Sequence, residues 1–175
     1  SVAAGEAPVL RGYPPSTTHL ITSLCERAGP GTASQGDISA LFSVLVAGSD
    51  MDEPIADILR GVLDGHIVLD RTIAERGRFQ AIDVLRSVSR SLPAAANQKE
   101  NAILGLTRKM LGLYDANAMM IRAGLYTQGS DPEVDKAIQL HPELESFWAK
   151  AEPEDAKRSF SQLELILRRA GVSLA

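Results

Sequence analysis

The passage Asp64-Gly65-His66-Ile67-Val68-Leu69-Asp70-Arg71, with Ser87-Val88-Ser89-Arg90 downstream, constrains the fold of this chain more than any other. Gly65 reads as the end of a helix whose apolar face is Ile55, Leu59 and Val62. Ile67, Val68 and Leu69 then form a short buried strand, and residues 71–76 give a helical turn or two before Gly77 ends it. Upstream, Ile38, Ala40, Leu41, Phe42, Val44, Leu45 and Val46 make a nearly continuous apolar run. Such a run predicts a strand buried on both faces of a parallel sheet. Strand, helix and strand with short connections belong to an α/β fold. After Gly77 comes an irregular segment with Phe79 in a loop and Arg90 at its far end.

The remaining punctuation fixes the other elements. Arg11-Gly12-Tyr13-Pro14-Pro15-Ser16 is turn-rich, and its prolines pre-set a helix start. Leu20, Ile21, Leu24, Cys25 and Ala28 share the next helical face, which Gly29-Pro30-Gly31 stops. Asp52 is placed to cap the helix that begins near Pro54. The texture changes from Gln98 onward. Ile103, Leu106, Met110, Leu113, Asn117, Ile121 and Leu125 recur every three or four residues, which predicts one long amphipathic helix. Asp131-Pro132 starts another helix, His141-Pro142 a third, and a fourth follows Glu152-Pro153, with Phe160, Leu163 and Leu167 on one face. The domain boundary is expected at residues 91–96, dividing the chain into 1–96 and an all-helical 97–175.

Composition narrows the function classes. The formal net charge is -4, so no basic patch dominates, which argues against nucleic acid as the main partner. The single cysteine, Cys25, cannot form an internal disulfide, which favours a reducing cytoplasm. No apolar run approaches the roughly 18 residues of a membrane span. Residues 1–6 lack the basic start and long apolar core of a signal peptide, and read as the frayed end of a helix.

Few residues carry chemistry. No G-x-x-x-x-G-K-[ST] phosphate loop is present, and no apolar strand ends in a magnesium-binding aspartate. Taken alone, the chain is not expected to hold the triphosphate of ATP or to hydrolyse it. His19, His66 and His141 lie far apart, with no metal-ligand spacing around them. Cys25 reads as a small core residue, and Asp50, Asp52, Glu53 and Asp57 as caps and a solvated helix face. On residue chemistry alone, Arg90 reads plainly as a surface ion-pair partner. The second reading is a guanidinium that stabilises the charge of a phosphoryl transfer when presented from the rim of a sheet. Phe79 in Gly77-Arg78-Phe79-Gln80-Ala81-Ile82-Asp83 anchors its loop, or offers a face to a nucleobase.

Together these strings resemble the flagellar and type III secretion export ATPases, relatives of the catalytic subunits of rotary ATP synthase. The resemblance runs through Gly5-Glu6, Arg11 to Ser16, Glu26-Arg27-Ala28-Gly29, Ser43-Val44-Leu45-Val46 and Met51-Asp52-Glu53-Pro54-Ile55-Ala56-Asp57. It continues through Asp64 to Arg71, Ala81-Ile82-Asp83-Val84-Leu85 and Ser87 to Arg90. In the helical part it covers Ile121-Arg122-Ala123-Gly124-Leu125-Tyr126 and the string from Gly129-Ser130-Asp131-Pro132 to Ile138. Arg86 leans toward the flagellar branch.

The resemblance implies an α/β fold (part of a RecA-like parallel sheet) followed by an all-α carboxyl-terminal domain. It implies a homohexameric ATPase using ATP and Mg2+, cytoplasmic and peripheral at the inner face of the membrane. Its implied partners are an export gate, stator and stalk proteins, export substrates and chaperones. Arg90 matches the arginine finger that acts on the neighbouring subunit, and Phe79 the aromatic that stacks on adenine. Residues 11–16 resemble a loop near the central pore, and 97–175 the domain that faces the gate and stalk. Gln80 stands where the family has proline, and Thr17 where it has valine. The family's phosphate loop, general-base glutamate and magnesium-site aspartate are expected before Ser1. Two alternatives stay open: a non-catalytic helical module that binds an export partner, and a segment of an ATP synthase or vacuolar-type subunit.

Overall fold

The computed structural model describes residues 13–46, 53–150 and 155–173. The expected frayed end at 1–6, the start of the turn at Arg11-Gly12, the caps at Asp50 and Asp52 and the break at Glu152-Pro153 lie outside them. The chain divides into two units, Ser1–His66 and Ile67–Ala175.

In the first unit α1 (Pro15–Cys25) packs on α2 (Pro54–Val62). Pro15 and Pro54 each stand at the first helical turn, where the missing N–H costs nothing. Cys25, Ala56 and Leu59 are buried between them, whereas Leu20 and Leu24 face outward. Gly29 takes a positive φ of 147° and pairs with Ile38 as an isolated antiparallel bridge.

The expected strand over 38–46 is not formed. Beyond Ile38 the described residues adopt no regular element, and Leu41 and Leu45 are 93% and 94% exposed. A run built to be covered on both faces needs a strand on each side to satisfy its backbone. Among the described residues it has none.

A two-stranded sheet, β1 (Gly65–Leu69) beside β2 (Ile82–Ser89), joined through α3 (Arg71–Glu75), begins with the last two residues of the first unit and otherwise belongs to the second. Asp70 caps α3 by accepting from the Thr72 backbone N–H at 2.7 Å. The backbone N–H of Asp70, just past the end of β1, donates to Ala81 O, just before the start of β2, at 2.9 Å. The two strands therefore run antiparallel, a correction to the parallel pairing expected. The connection carries only a five-residue helix, too short to cover a sheet face as the helix of a parallel crossover does. Only Val68 of β1 is buried, while Ile67 and Leu69 are exposed. The strand is covered on one face, not on both.

Three helices complete this unit: α4 (Gln98–Arg122), α5 (Pro132–Trp148) and α6 (Ala156–Arg169). Each start is set by its cap. Asn97 and Glu100 form a reciprocal capping box, Asp131 accepts from the N–H groups of Glu133 and Val134, and Asp155 accepts from that of Arg158. Gly124, at φ 68°, supplies the left-handed residue just beyond α4. Ile103, Met110, Leu140, Leu144 and Leu167 are almost wholly buried where the helices meet. Lys99 pairs with Glu164, Lys109 with Glu133, and Arg169 with Glu143 at the helix edges. The separate helix expected at His141-Pro142 does not exist; Pro142 lies inside α5. Leu140 and Leu144 flank it and share the same core, so packing holds the helix through a residue that normally breaks it.

Candidate functional site

Phe79 and Arg90 stand at opposite ends of β2, the first in the loop that enters it and the second in the turn that leaves it. Both are exposed on the surface.

The entering loop is built on Arg78. Gly77 ends the α3 turn at φ 84°. The Arg78 side chain, only 12% exposed, then runs beneath the loop. Its guanidinium donates to Ile82 O at 3.0 Å and to Gln80 O at 3.4 Å. Its Nε lies 2.9 Å from Glu145 Oε2 on α5 as a charge contact, without the alignment of a hydrogen bond. With the polar neighbour tied down on both sides, Phe79 is left 70% exposed. The Phe79–Gln80 peptide is cis.

The exit toward Arg90 departs from strand geometry. Ser87 Oγ donates to Asp83 O at 2.6 Å. In a straight strand, residues four apart lie about 13 Å from one another, so β2 curls between them. Asp83 Oδ1 accepts from the Arg86 backbone N–H at 3.0 Å, closing the curl locally. The Val68 N–H donates to Ser87 Oγ at 3.0 Å, tying the curl to β1. From α4, the Arg108 guanidinium donates to Val84 O and Leu85 O, each at 2.8 Å, and to Ser87 O at 3.3 Å. Arg90 follows Ser89 at the end of this braced segment.

A second polar cluster lies behind the entering loop. The His141 ring stacks on Tyr114 with centroids 3.6 Å apart. Burial pushes the imidazole below its ordinary pKa of 6.5, against the opposing pull of Glu145. Asp70 is also held below its usual range, chiefly by the Thr72 hydroxyl, then by the Thr72 N–H, with the Arg86 guanidinium adding to this. Arg78, Arg108 and Glu145 carry no mark in the sequence. Arg108 in particular reads as one more solvated cation on a long helix.

The arrangement is that of one strand carrying an aromatic at its entrance and a cation at its exit, with helices holding both. Comparison with known proteins fits it. Residues 1–89 match the ATP synthase alpha/beta family, nucleotide-binding domain, and residues 96–164 match the T3SS EscN ATPase C-terminal domain. The chain belongs to the ATP synthase alpha/beta family, in its branch of flagellum-specific and type III secretion ATPases.

The flagellum-specific ATP synthase of Caulobacter vibrioides is 45% identical over 174 residues, covering 95% of this chain. The chain spans 39% of that relative's length. The assembled ATPase EscN of the enteropathogenic E. coli type III secretion system superimposes with a TM-score of 0.88 at 34% identity, over 95% of this chain and 40% of EscN. EscN in complex with its central stalk EscO gives a TM-score of 0.80 at 34% identity, over 95% of this chain and 39% of that one.

Proposed function

We propose that this chain is a working segment of an ATPase that energises flagellar or type III protein export from a homohexameric ring. The observation that carries the reading is order. A nucleotide-binding match over 1–89 is followed by an export-ATPase match over 96–164, and 95% of the chain superimposes on EscN. In this reading residues 1–96 belong to the nucleotide-binding domain and 97–175 form the helical domain that faces the export gate and a central stalk. The EscN–EscO complex supports the stalk as a partner. The ring works in the cytoplasm, at the inner face of the membrane, with stator proteins, export substrates and chaperones as further partners and no nucleic acid. No helix among the described residues is long and apolar enough to cross a membrane.

Arg90 is the arginine finger. Transfer of the γ-phosphoryl group spreads negative charge over its oxygens, and a guanidinium supplied by the adjacent subunit stabilises that charge. Such a group must arrive already aimed, and the braced curl before Arg90 supports this role. Phe79 stacks on the adenine of ATP; its exposed face and the tethered Arg78 beneath it fit that task. Among the described residues, no three His, Cys, Asp or Glu side chains cluster as metal ligands. In this reading Mg2+ and the phosphates are held elsewhere in the ring.

Arg90→Ala tests the reading in an ATPase ring that carries this segment. ATP affinity should stay within about twofold while hydrolysis falls by roughly 10³-fold or more, the scale of an arginine finger. Mixing this variant with subunits defective in phosphate binding should restore part of the activity, because the finger acts on its neighbour. Normal hydrolysis by Arg90→Ala leaves only a surface ion pair.

A further inference from the structure

The three carbonyls that Arg108 engages would not normally meet. Along a straight strand successive C=O groups point to opposite sides. The curl in β2 turns those of Val84, Leu85 and Ser87 toward one guanidinium. Carbonyls taken out of a sheet ladder still need donors. A planar guanidinium with five N–H groups in a fixed fork can serve three acceptors at once, which an ammonium on a flexible stem does poorly. Arg108 therefore supplies, from the helical bundle, the hydrogen bonds that the curl forfeits.

The consequence reaches Arg90, because only Val88 and Ser89 separate it from Ser87. Ser87 is fixed through its Oγ by Asp83 and Val68 and through its carbonyl by Arg108. The other end of β2 is held in the same way, since Arg78 beside Phe79 meets Glu145 of α5 at 2.9 Å. Each end of the strand is thus tied to a different helix of the bundle.

We propose that Arg108 is a positioning residue for Arg90: by holding the β2 curl it aims the finger, so that the helical bundle governs turnover at the adjacent subunit's site. This rests on the reading of Arg90 as the finger. Arg108 touches no substrate and acts only through the backbone it orders.

A kinetic double-mutant cycle in the assembled ATPase ring tests it. Arg108→Ala should lower kcat by about 10- to 100-fold, the range set by small misplacements of a catalytic group, with KM for ATP and ring assembly changed less than about twofold. Arg108→Lys should recover only part of the loss. Added to Arg90→Ala, Arg108→Ala should cost less than about twofold more, because the route it acts through is already gone. Full turnover in Arg108→Ala, or losses that multiply in the double variant, overturns the inference and leaves Arg108 as a general support of the fold. If Arg108→Ala does not assemble, Arg108→Gln, which keeps the stem and one donor group, is read through the same cycle against the same outcomes. Normal turnover in Arg90→Ala overturns the finger reading and this inference together. Loss in Arg90→Ala with full turnover in Arg108→Ala overturns this inference alone.

Discussion

The α1–α2 unit and the α4–α6 bundle are both rich in aliphatic side chains, yet they use them differently. The bundle buries Ile103, Met110, Leu140, Leu144 and Leu167 almost completely. Among described residues of the first unit, Pro14, Cys25, Ala56 and Leu59 form the buried apolar set, while Leu41 and Leu45 stand in the open. The difference comes from the backbone. An amphipathic helix satisfies its own N–H and C=O groups and needs a cover only along one stripe. An apolar strand must borrow hydrogen bonds and cover from strands on both sides. The same chemical content therefore makes a core in one region and an exposed run in the other.

Hydrogen exchange gives the largest contrast between the two regions. Amides in residues 103–121 should exchange on the order of 10³-fold more slowly than those in 38–46, as core helices do relative to segments opening at little cost. Equal protection, or the reverse order, would mean that the 38–46 run has found partners, such as a strand of another chain along its edge.

Substitution separates the two regions residue by residue. Leu144 is 0% exposed, and Leu144→Ala should cost about 2–5 kcal/mol, the transfer of the lost atoms plus the cavity left behind. Leu41→Ala, at 93% exposure, should stay within about 0.5 kcal/mol. Urea unfolding monitored by helical circular dichroism measures both. A loss at Leu41 equal to that at Leu144 would show that the exposed run belongs to a core.

The sequence made the helices legible because periodicity and punctuation agree: the pattern from Gln98 and the Asp131-Pro132 pair each mark a helix start where one is found, and the structure adds the caps at Asn97 with Glu100 and at Asp155. Two misreadings share a cause. The apolar run 38–46 predicts burial only if strands flank it, and Pro142 predicts a break only if packing across Leu140 and Leu144 does not hold the helix together. Both conditions are tertiary. β2 read as irregular because Asp83, Arg86 and Ser87 interrupt its apolar pattern, and those same residues make its curl. Of the candidate site, Phe79 and Arg90 are picked out only by the family resemblance of their strings, since on residue chemistry alone they read as a loop anchor and a surface ion-pair partner. Arg108 is not picked out at all, since a cation that reaches back to backbone carbonyls is written like any solvated arginine on a helix face.

The smallest expected effect is a pH dependence confined to the bundle. His141 lies against Tyr114, with Glu145 raising its proton affinity and Arg122 and Arg78 joining burial in lowering it. Its folded pKa is therefore below the ordinary value of 6.5 that the unfolded chain shows. The fold favours the neutral ring. Its contribution is fully present above about pH 6.5 and declines as pH falls through the folded pKa, because the unfolded state then binds the proton more readily. The carboxylates held below their usual range, Asp70, Glu133 and Glu164, titrate beneath this window and do not obscure it. Urea unfolding followed between pH 8 and 5 should show stability decreasing below about pH 6.5. His141→Phe keeps an aromatic face for Tyr114 and removes the proton, so it should flatten that limb. An unchanged slope in His141→Phe would assign the acid sensitivity to another group and leave the Tyr114 stack as packing alone.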